Sequence, residues 1–166
     1  PSLRTLLDFD SAADAALFSP IDDVVMGGVS SSRLVQAAPG IAAFEGTVSL
    51  ENRGGFASVR TKSREWDTQG AKEFVLRLRG DGKRYKLGLR TDDLFDGVTY
   101  QATFEPASGE WTVLRLPLAS FKPTWRGRPI DGGSAVRPES VRQLGLVIGD
   151  GQAGVFALAL RSIALE

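Results

Sequence analysis

The fold turns on the stretch Phe44-Glu45-Gly46-Thr47-Val48-Ser49-Leu50-Glu51-Asn52-Arg53-Gly54-Gly55-Phe56-Ala57-Ser58-Val59-Arg60. Phe44, Val48 and Leu50 share one phase, and Glu45, Thr47, Ser49 and Glu51 share the other. A period of two marks a strand with one face in a core. Asn52-Arg53-Gly54-Gly55 then supplies turn chemistry, because glycine reaches positive φ without a Cβ clash and asparagine tolerates it. A second run follows from Phe56 to Arg60, with Arg60 in phase with Phe56 and Ser58. The expectation is a hairpin of strand, tight turn and strand.

The same pattern extends in both directions. Upstream, Thr5 to Phe9 reads as a strand. Asp10 or Ser11 can cap a short helix over Ala12 to Phe18, which Pro20 ends. Gly27-Gly28 mark a sharp turn, Ser32 to Gln36 a strand, and Pro39-Gly40 the turn into the central stretch. Downstream, Lys62 to Lys72 is a polar connection with Trp66 as an anchor. Phe74, Leu76 and Leu78 then alternate with Arg77 and Arg79, and Gly80-Asp81-Gly82-Lys83 carries the Asp-Gly signal of a hairpin into Arg84 to Thr91. Val98 to Phe104 and Trp111 to Leu116 alternate likewise. Phe121 to Arg137 is the longest irregular stretch, and a loop of that length is functional or mobile in a compact domain. Val141 to Ile148 and Val155 to Leu165 close the chain around Gly149-Asp150-Gly151. About nine short strands, one short N-terminal helix and no βαβ rhythm give an all-β fold, a β-sandwich or jelly roll. The 166 residues fit a single domain spanning 1–166.

Composition excludes several chemistries. The chain has no cysteine and no histidine. Disulfides, thiolate nucleophiles, Ser-His-Asp catalysis and His-ligated zinc are therefore ruled out. Lys+Arg and Asp+Glu are both 20, so the formal net charge is zero. A protein that works on nucleic acid through phosphates would carry a basic excess, so no nucleic-acid partner is expected. No apolar run reaches the ~20 residues of a membrane-spanning helix, so no direct membrane insertion is expected.

Three groups of residues are candidates for chemistry. Asp22 and Asp23 beside Gly27-Gly28 offer oxygen ligands for a hard cation, but without EF-hand spacing they read first as turn residues, and no metal site or cofactor is expected. Arg60, Arg77, Arg79, Lys86 and Arg90 all oppose the core phase of their strands. Placed side by side they would form a positive row suited to carboxylate or phosphate, and otherwise they are the solvated outside of a sandwich. Trp125 beside Arg126 and Arg128 is a combination enriched at interaction hot spots, or else a ring that folds back to seal an edge. The residues expected to meet a partner or ligand are Asn52, Arg60, Arg90, Tyr100, Trp125 and Arg126. Trp66, Trp125 and Tyr100 are the rings that a sugar would stack on. No pair of carboxylates stands out for catalysis.

Several blocks, in order along nearly the whole chain, resemble one known family. They are Asp23-Val24-Val25-Met26-Gly27-Gly28-Val29-Ser30, Asn52 to Arg60, Gly80-Asp81-Gly82-Lys83-Arg84-Tyr85, the run from Trp111 through Leu116-Pro117 to Phe121, Trp125-Arg126-Gly127-Arg128, and the closing Phe156, Leu158, Leu160 and Ile163. Together they resemble the complex I intermediate-associated protein 30 family. Where family members often have a tryptophan ahead of the Gly-Gly block, this chain has Phe18. The resemblance implies a galactose-binding-domain-like jelly roll with no enzymatic activity. It also implies a protein-binding assembly factor or chaperone for a respiratory, complex I-like membrane complex, whose partners would be respiratory-complex subunits or assembly intermediates. The compartment implied is the cytoplasm in a bacterium and the matrix side of mitochondria in a eukaryote. The alternative expectation is a carbohydrate or small-ligand binding module of galactose-binding-like type.

Overall fold

The computed structural model describes residues 3–22, 27–91, 98–125, 128–130 and 135–166, with Arg53 described by its backbone alone. Among them are thirteen strands: β1 (Arg4–Asp8), β2 (Phe18–Pro20), β3 (Ser31–Ala38), β4 (Ile41–Val48), β5 (Ala57–Thr61), β6 (Glu73–Arg79), β7 (Tyr85–Thr91), β8 (Val98–Phe104), β9 (Trp111–Pro117), β10 (Lys122–Trp125), β11 (Arg128–Pro129), β12 (Val141–Ile148) and β13 (Gly154–Leu165). One short helix, α1 (Ala12–Ala15), follows Ser11 at its N-cap. The helix is shorter than the Ala12 to Phe18 expected, because Phe18 enters β2 and is buried against Phe9 at 6.3 Å.

Two antiparallel sheets face each other. The six-stranded sheet runs β3-β4-β13-β6-β9, with β1 also paired to β13. The first half of β13 pairs with β4 and the second half with β1, so both lie along one edge of this long strand while β6 takes the other. The seven-stranded sheet runs β11-β10-β8-β7-β12-β5-β2. The inward phases of both sheets fill the core. Phe44 meets Phe156 edge-on at 5.0 Å and Tyr85 at 6.1 Å, and Tyr85 stacks on Phe104 at 6.1 Å. Each fully buried aromatic or Leu side chain contributes roughly 1.5–3 kcal/mol of transfer free energy. This is a β-sandwich jelly roll of galactose-binding-like type, as expected.

The central stretch is not a hairpin. β4 lies in the six-stranded sheet and β5 in the seven-stranded one, so Asn52 to Gly55 carry the chain from one sheet to the other. The strand stops at Val48, and Leu50 is left 52% exposed beyond it. The Asp81-Gly82 turn behaves the same way, since β6 and β7 belong to different sheets. So does the turn after β12. Turn chemistry and alternation report that the chain reverses, and both a hairpin and a sheet-to-sheet corner satisfy that requirement.

Two carboxylates lock these corners. Asp81 Oδ2 accepts hydrogen bonds from Tyr85 Oη and from the Ala157 amide, both at 2.9 Å, while Oδ1 accepts from the Lys83 amide at 3.1 Å. It thereby ties the start of β7 to β13 in the opposite sheet. Asp22 Oδ1 accepts from Ser32 Oγ at 2.5 Å and from the Ser58 amide at 3.1 Å, and its Oδ2 accepts from the Ser32 amide at 3.1 Å. That carboxylate joins β3 to β5, again across the two sheets.

Candidate binding face

The outer face of the seven-stranded sheet is built by strand parity. In β7, Tyr85, Leu87 and Leu89 are buried in the core, so Lys86, Gly88 and Arg90 point outward. In β5, Ala57, Val59 and Thr61 point inward and Arg60 outward. Register then fixes a row across six strands. Ser19 opposes Arg60, Arg60 opposes Gly145, Gly145 opposes Gly88, Gly88 opposes Gln101, and Gln101 opposes Lys122. One step away along the strands, Gln143 opposes Arg90; on the other side, Ser58 opposes Val147 and Val147 opposes Lys86.

Two glycines occupy the middle of this row. A Cβ on Gly145 would come within 3.0 Å of the Val59 carbonyl oxygen, and one on Gly88 within 3.1 Å of the Thr99 methyl carbon. Close packing therefore keeps both positions free of side chains of their own, and both glycines are buried beneath their neighbours.

Arg60 and Arg90 lie on the two strands that flank β12, and both are half-buried. Among the described residues no ion pair reaches either one. Burial, and then repulsion by Arg90, holds the Arg60 guanidinium down to about 10. The Arg60 guanidinium remains charged at neutral pH, at a cost in stability that no carboxylate among the described residues offsets. Other cations have partners. Lys86 sits 3.5 Å from Asp150, Arg33 2.6 Å from Glu45, and Arg115 contacts both Glu73 and Glu166.

The remaining expected residues are distributed elsewhere. Tyr100 is 4% exposed and sits in the core, because it falls in the phase of Ala102 and Phe104; it is unavailable to a partner at the surface. Asn52 is exposed in the corner after β4, where its φ of 56° and ψ of 33° meet the need for a left-handed residue. Trp125 is 42% exposed at the end of β10, and its register opposite Val98 puts it in the phase of Tyr100 rather than of Gln101. Arg126 lies outside the described residues. Arg77 and Arg79 are on β6, in the other sheet, so the expected five-residue row divides and only Arg60, Lys86 and Arg90 share a face. On that opposite sheet Arg79 and Arg161 both stand over the exposed Trp111 ring, at 5.1 and 4.6 Å.

Trp66 is an anchor and not a stacking platform. Its indole N–H donates to the Arg142 carbonyl at 2.9 Å, and the Arg64 guanidinium covers the ring at 3.9 Å. Gln143, Gly145 and Gly88 belong to the face but were not among the expected site residues. Their signal was the outward phase of Val141 to Ile148, in which Gln143, Gly145 and Val147 alternate with Leu144, Leu146 and Ile148.

Similarity to known proteins agrees with this architecture. The family model for complex I intermediate-associated protein 30 matches residues 7–160. An uncharacterized protein of Schizosaccharomyces pombe is 31% identical, aligned over 88% of this chain and 76% of the relative. The mitochondrial complex I intermediate-associated protein 30 of Drosophila melanogaster is 26% identical over 84% of this chain, which spans about half (54%) of the fly protein's length. Among solved structures, the family 11 carbohydrate-binding module of the cellulase Lic26A-Cel5E of Clostridium thermocellum superposes with a TM-score of 0.72. That match covers 99% of this chain and 94% of the module at 14% identity, a likeness of fold alone. The chain belongs to the complex I intermediate-associated protein 30 family.

Proposed function

We propose that this domain is a non-enzymatic protein-binding module that acts as an assembly factor for a respiratory, complex I-like membrane complex. The observation that carries the reading is the Arg60–Arg90 pair on a rigid sheet face, half-buried and without a counter-charge among the described residues. Uncompensated like charges destabilise an isolated domain, and a partner that neutralises them recovers that loss on binding. Family membership supplies the biological setting, because the fly and nematode relatives carry names that place them with complex I in mitochondria. In a eukaryotic cell the domain would work on the matrix side of mitochondria, and in a bacterium in the cytoplasm.

In this mechanism the sandwich does no chemistry. It holds a partly assembled subunit on the outer face of the seven-stranded sheet, with Arg60 and Arg90 at the centre. Asn52, exposed in the corner after β4, and Trp125, exposed at the end of β10, would extend the contact beyond that face. No helix among the described residues is long and apolar enough to cross a membrane, so the domain itself would meet the membrane complex through protein contacts. Affinity purification from the native host followed by mass spectrometry tests the reading. Enrichment of respiratory-complex subunits is expected, and a preparation free of them would overturn it. The carbohydrate alternative retains only Trp125 of its three expected rings, since Trp66 and Tyr100 are packed inside.

A further inference from the structure

We propose that the outer face of the seven-stranded sheet around Gly145 and Gly88 is a carboxylate-binding site, in which Arg60 and Arg90 together take an acidic side chain from an extended segment of the partner polypeptide. The inference rests on the protein-binding reading above and names the chemistry of what is bound.

Four observations carry it. The row from Ser19 to Lys122 crosses six paired strands, and at about 4.8 Å per strand it spans roughly 24 Å, room for about seven residues of extended chain at ~3.4 Å each. Its two central positions are buried glycines, with the Thr99 methyl packed at Gly88, and neither adds a side chain of its own to the row. The charges beside these glycines are guanidiniums, whose planar fork matches the two oxygens of a carboxylate. Lastly, neither has an acidic partner among the described residues, whereas Lys86 on the same face is already held by Asp150.

The face also argues against other occupants. Its outward side chains are Ser19, Ser58, Arg60, Lys86, Arg90, Thr99, Gln101, Thr103, Lys122, Thr124, Gln143 and Val147, with no aromatic ring among them. Sugars and single-stranded nucleic acid are gripped by stacking on such rings. A formal net charge of zero for the whole chain speaks against a general polyanion surface, so recognition is local to this pair.

The test uses the purified domain and a synthetic oligoglutamate peptide, with oligoglutamine and inorganic phosphate as the other arms. Calorimetry gives affinity, and the arginine Nε–H resonances in NMR report which guanidiniums respond. Oligoglutamate is expected to bind and to shift Arg60 and Arg90, while oligoglutamine does neither. Arg60→Gln and Arg90→Gln should each weaken binding by about tenfold. A Lys122→Gln variant should change affinity less than either. The proposal is overturned if oligoglutamate fails to bind at about 1 mM, if binding survives the double Gln variant, or if phosphate binds tighter than the peptide, which would make this a free-anion site. Host partners captured through Arg60 and Arg90 without oligoglutamate binding would overturn the carboxylate site and leave the assembly-factor reading standing. Oligoglutamate binding with no partner captured would do the reverse.

Discussion

Arg60 and Arg90 lie diagonally across β12, joined through the pairings of Arg60 with Gly145 and of Arg90 with Gln143, and burial, followed by repulsion from Arg90, lowers the proton affinity of Arg60. A domain selected for stability alone would place a carboxylate between them. Arg60→Gln should therefore raise stability at neutral pH by an amount on the order of 1 kcal/mol. Arg90→Gln should act in the same direction and less strongly, because burial is the larger cause of the shift and repulsion the smaller. The sign follows from linkage: a base with a lowered folded-state pKa penalises the folded state while it is charged, and the penalty fades only as pH rises past about 10. Denaturant unfolding of the two variants at pH 7 measures it. Lower midpoints for both would show that the guanidiniums stabilise the fold.

Tyr85 gives the opposite pH dependence. Burial, followed by its hydrogen bond to Asp81, pushes its hydroxyl well above the usual value of 10.0. The folded state keeps this proton while the unfolded chain releases it, so stability that is full below pH 10 falls as pH rises above it. Alkaline unfolding followed by tyrosinate absorbance should show Tyr85 ionising only as the domain opens. Asp81→Asn leaves one amide or hydroxyl donor without an acceptor and should cost about 1–3 kcal/mol and lower the pH of alkaline unfolding.

Asp22 accepts backbone N–H donors on both oxygens, from Ser58 on Oδ1 and Ser32 on Oδ2. An asparagine can accept on one side only and would turn its amide group toward a donor on the other. Asp22→Asn should thus fail to rescue Asp22→Ala, both losing about 2–3 kcal/mol. Thermal unfolding of the two variants side by side is the check. Because the carboxylate is fully engaged in joining the sheets, added calcium should leave the wild-type melting temperature unchanged.

Thr91 offers a gain. Its hydroxyl is buried and has no hydrogen-bond partner among the described residues. Thr91→Val keeps the β-branched shape and removes the unsatisfied group, so it should stabilise the domain by about 1 kcal/mol. Chemical denaturation of this variant would show a higher midpoint at an unchanged slope.

Much of the fold was legible because burial in a sandwich imposes a period of two. Phe74, Leu76 and Leu78 alternate with exposed Arg77 and Arg79, as their spacing indicated. Partner choice was not legible. Asn52 to Gly55 and Asp81-Gly82 carry the marks of hairpin turns, yet each passes between sheets, because local turn chemistry does not encode which strand lies alongside. That same gap scattered the basic row. Arg77 and Arg79 share a phase with Arg60 and Arg90 relative to the core, but the core has two sides, and topology alone assigns each strand to one of them. Tyr100 alternates with Gln101, and reading it as a surface contact mistook the core phase of β8 for the outer one. Gln143 and Gly145 were overlooked because neither residue type draws attention until register brings it beside an arginine.

The central claim is that partners are held at Arg60 and Arg90. The most direct measurement is capture of assembly intermediates from the native host by the Arg60→Glu/Arg90→Glu double variant, with Arg77→Glu/Arg79→Glu on the opposite sheet as control, each first verified as folded by its cooperative unfolding. Loss of capture by the first pair and retention by the second is the predicted result. Capture by the Arg60→Glu/Arg90→Glu domain at the wild-type level would contradict the account.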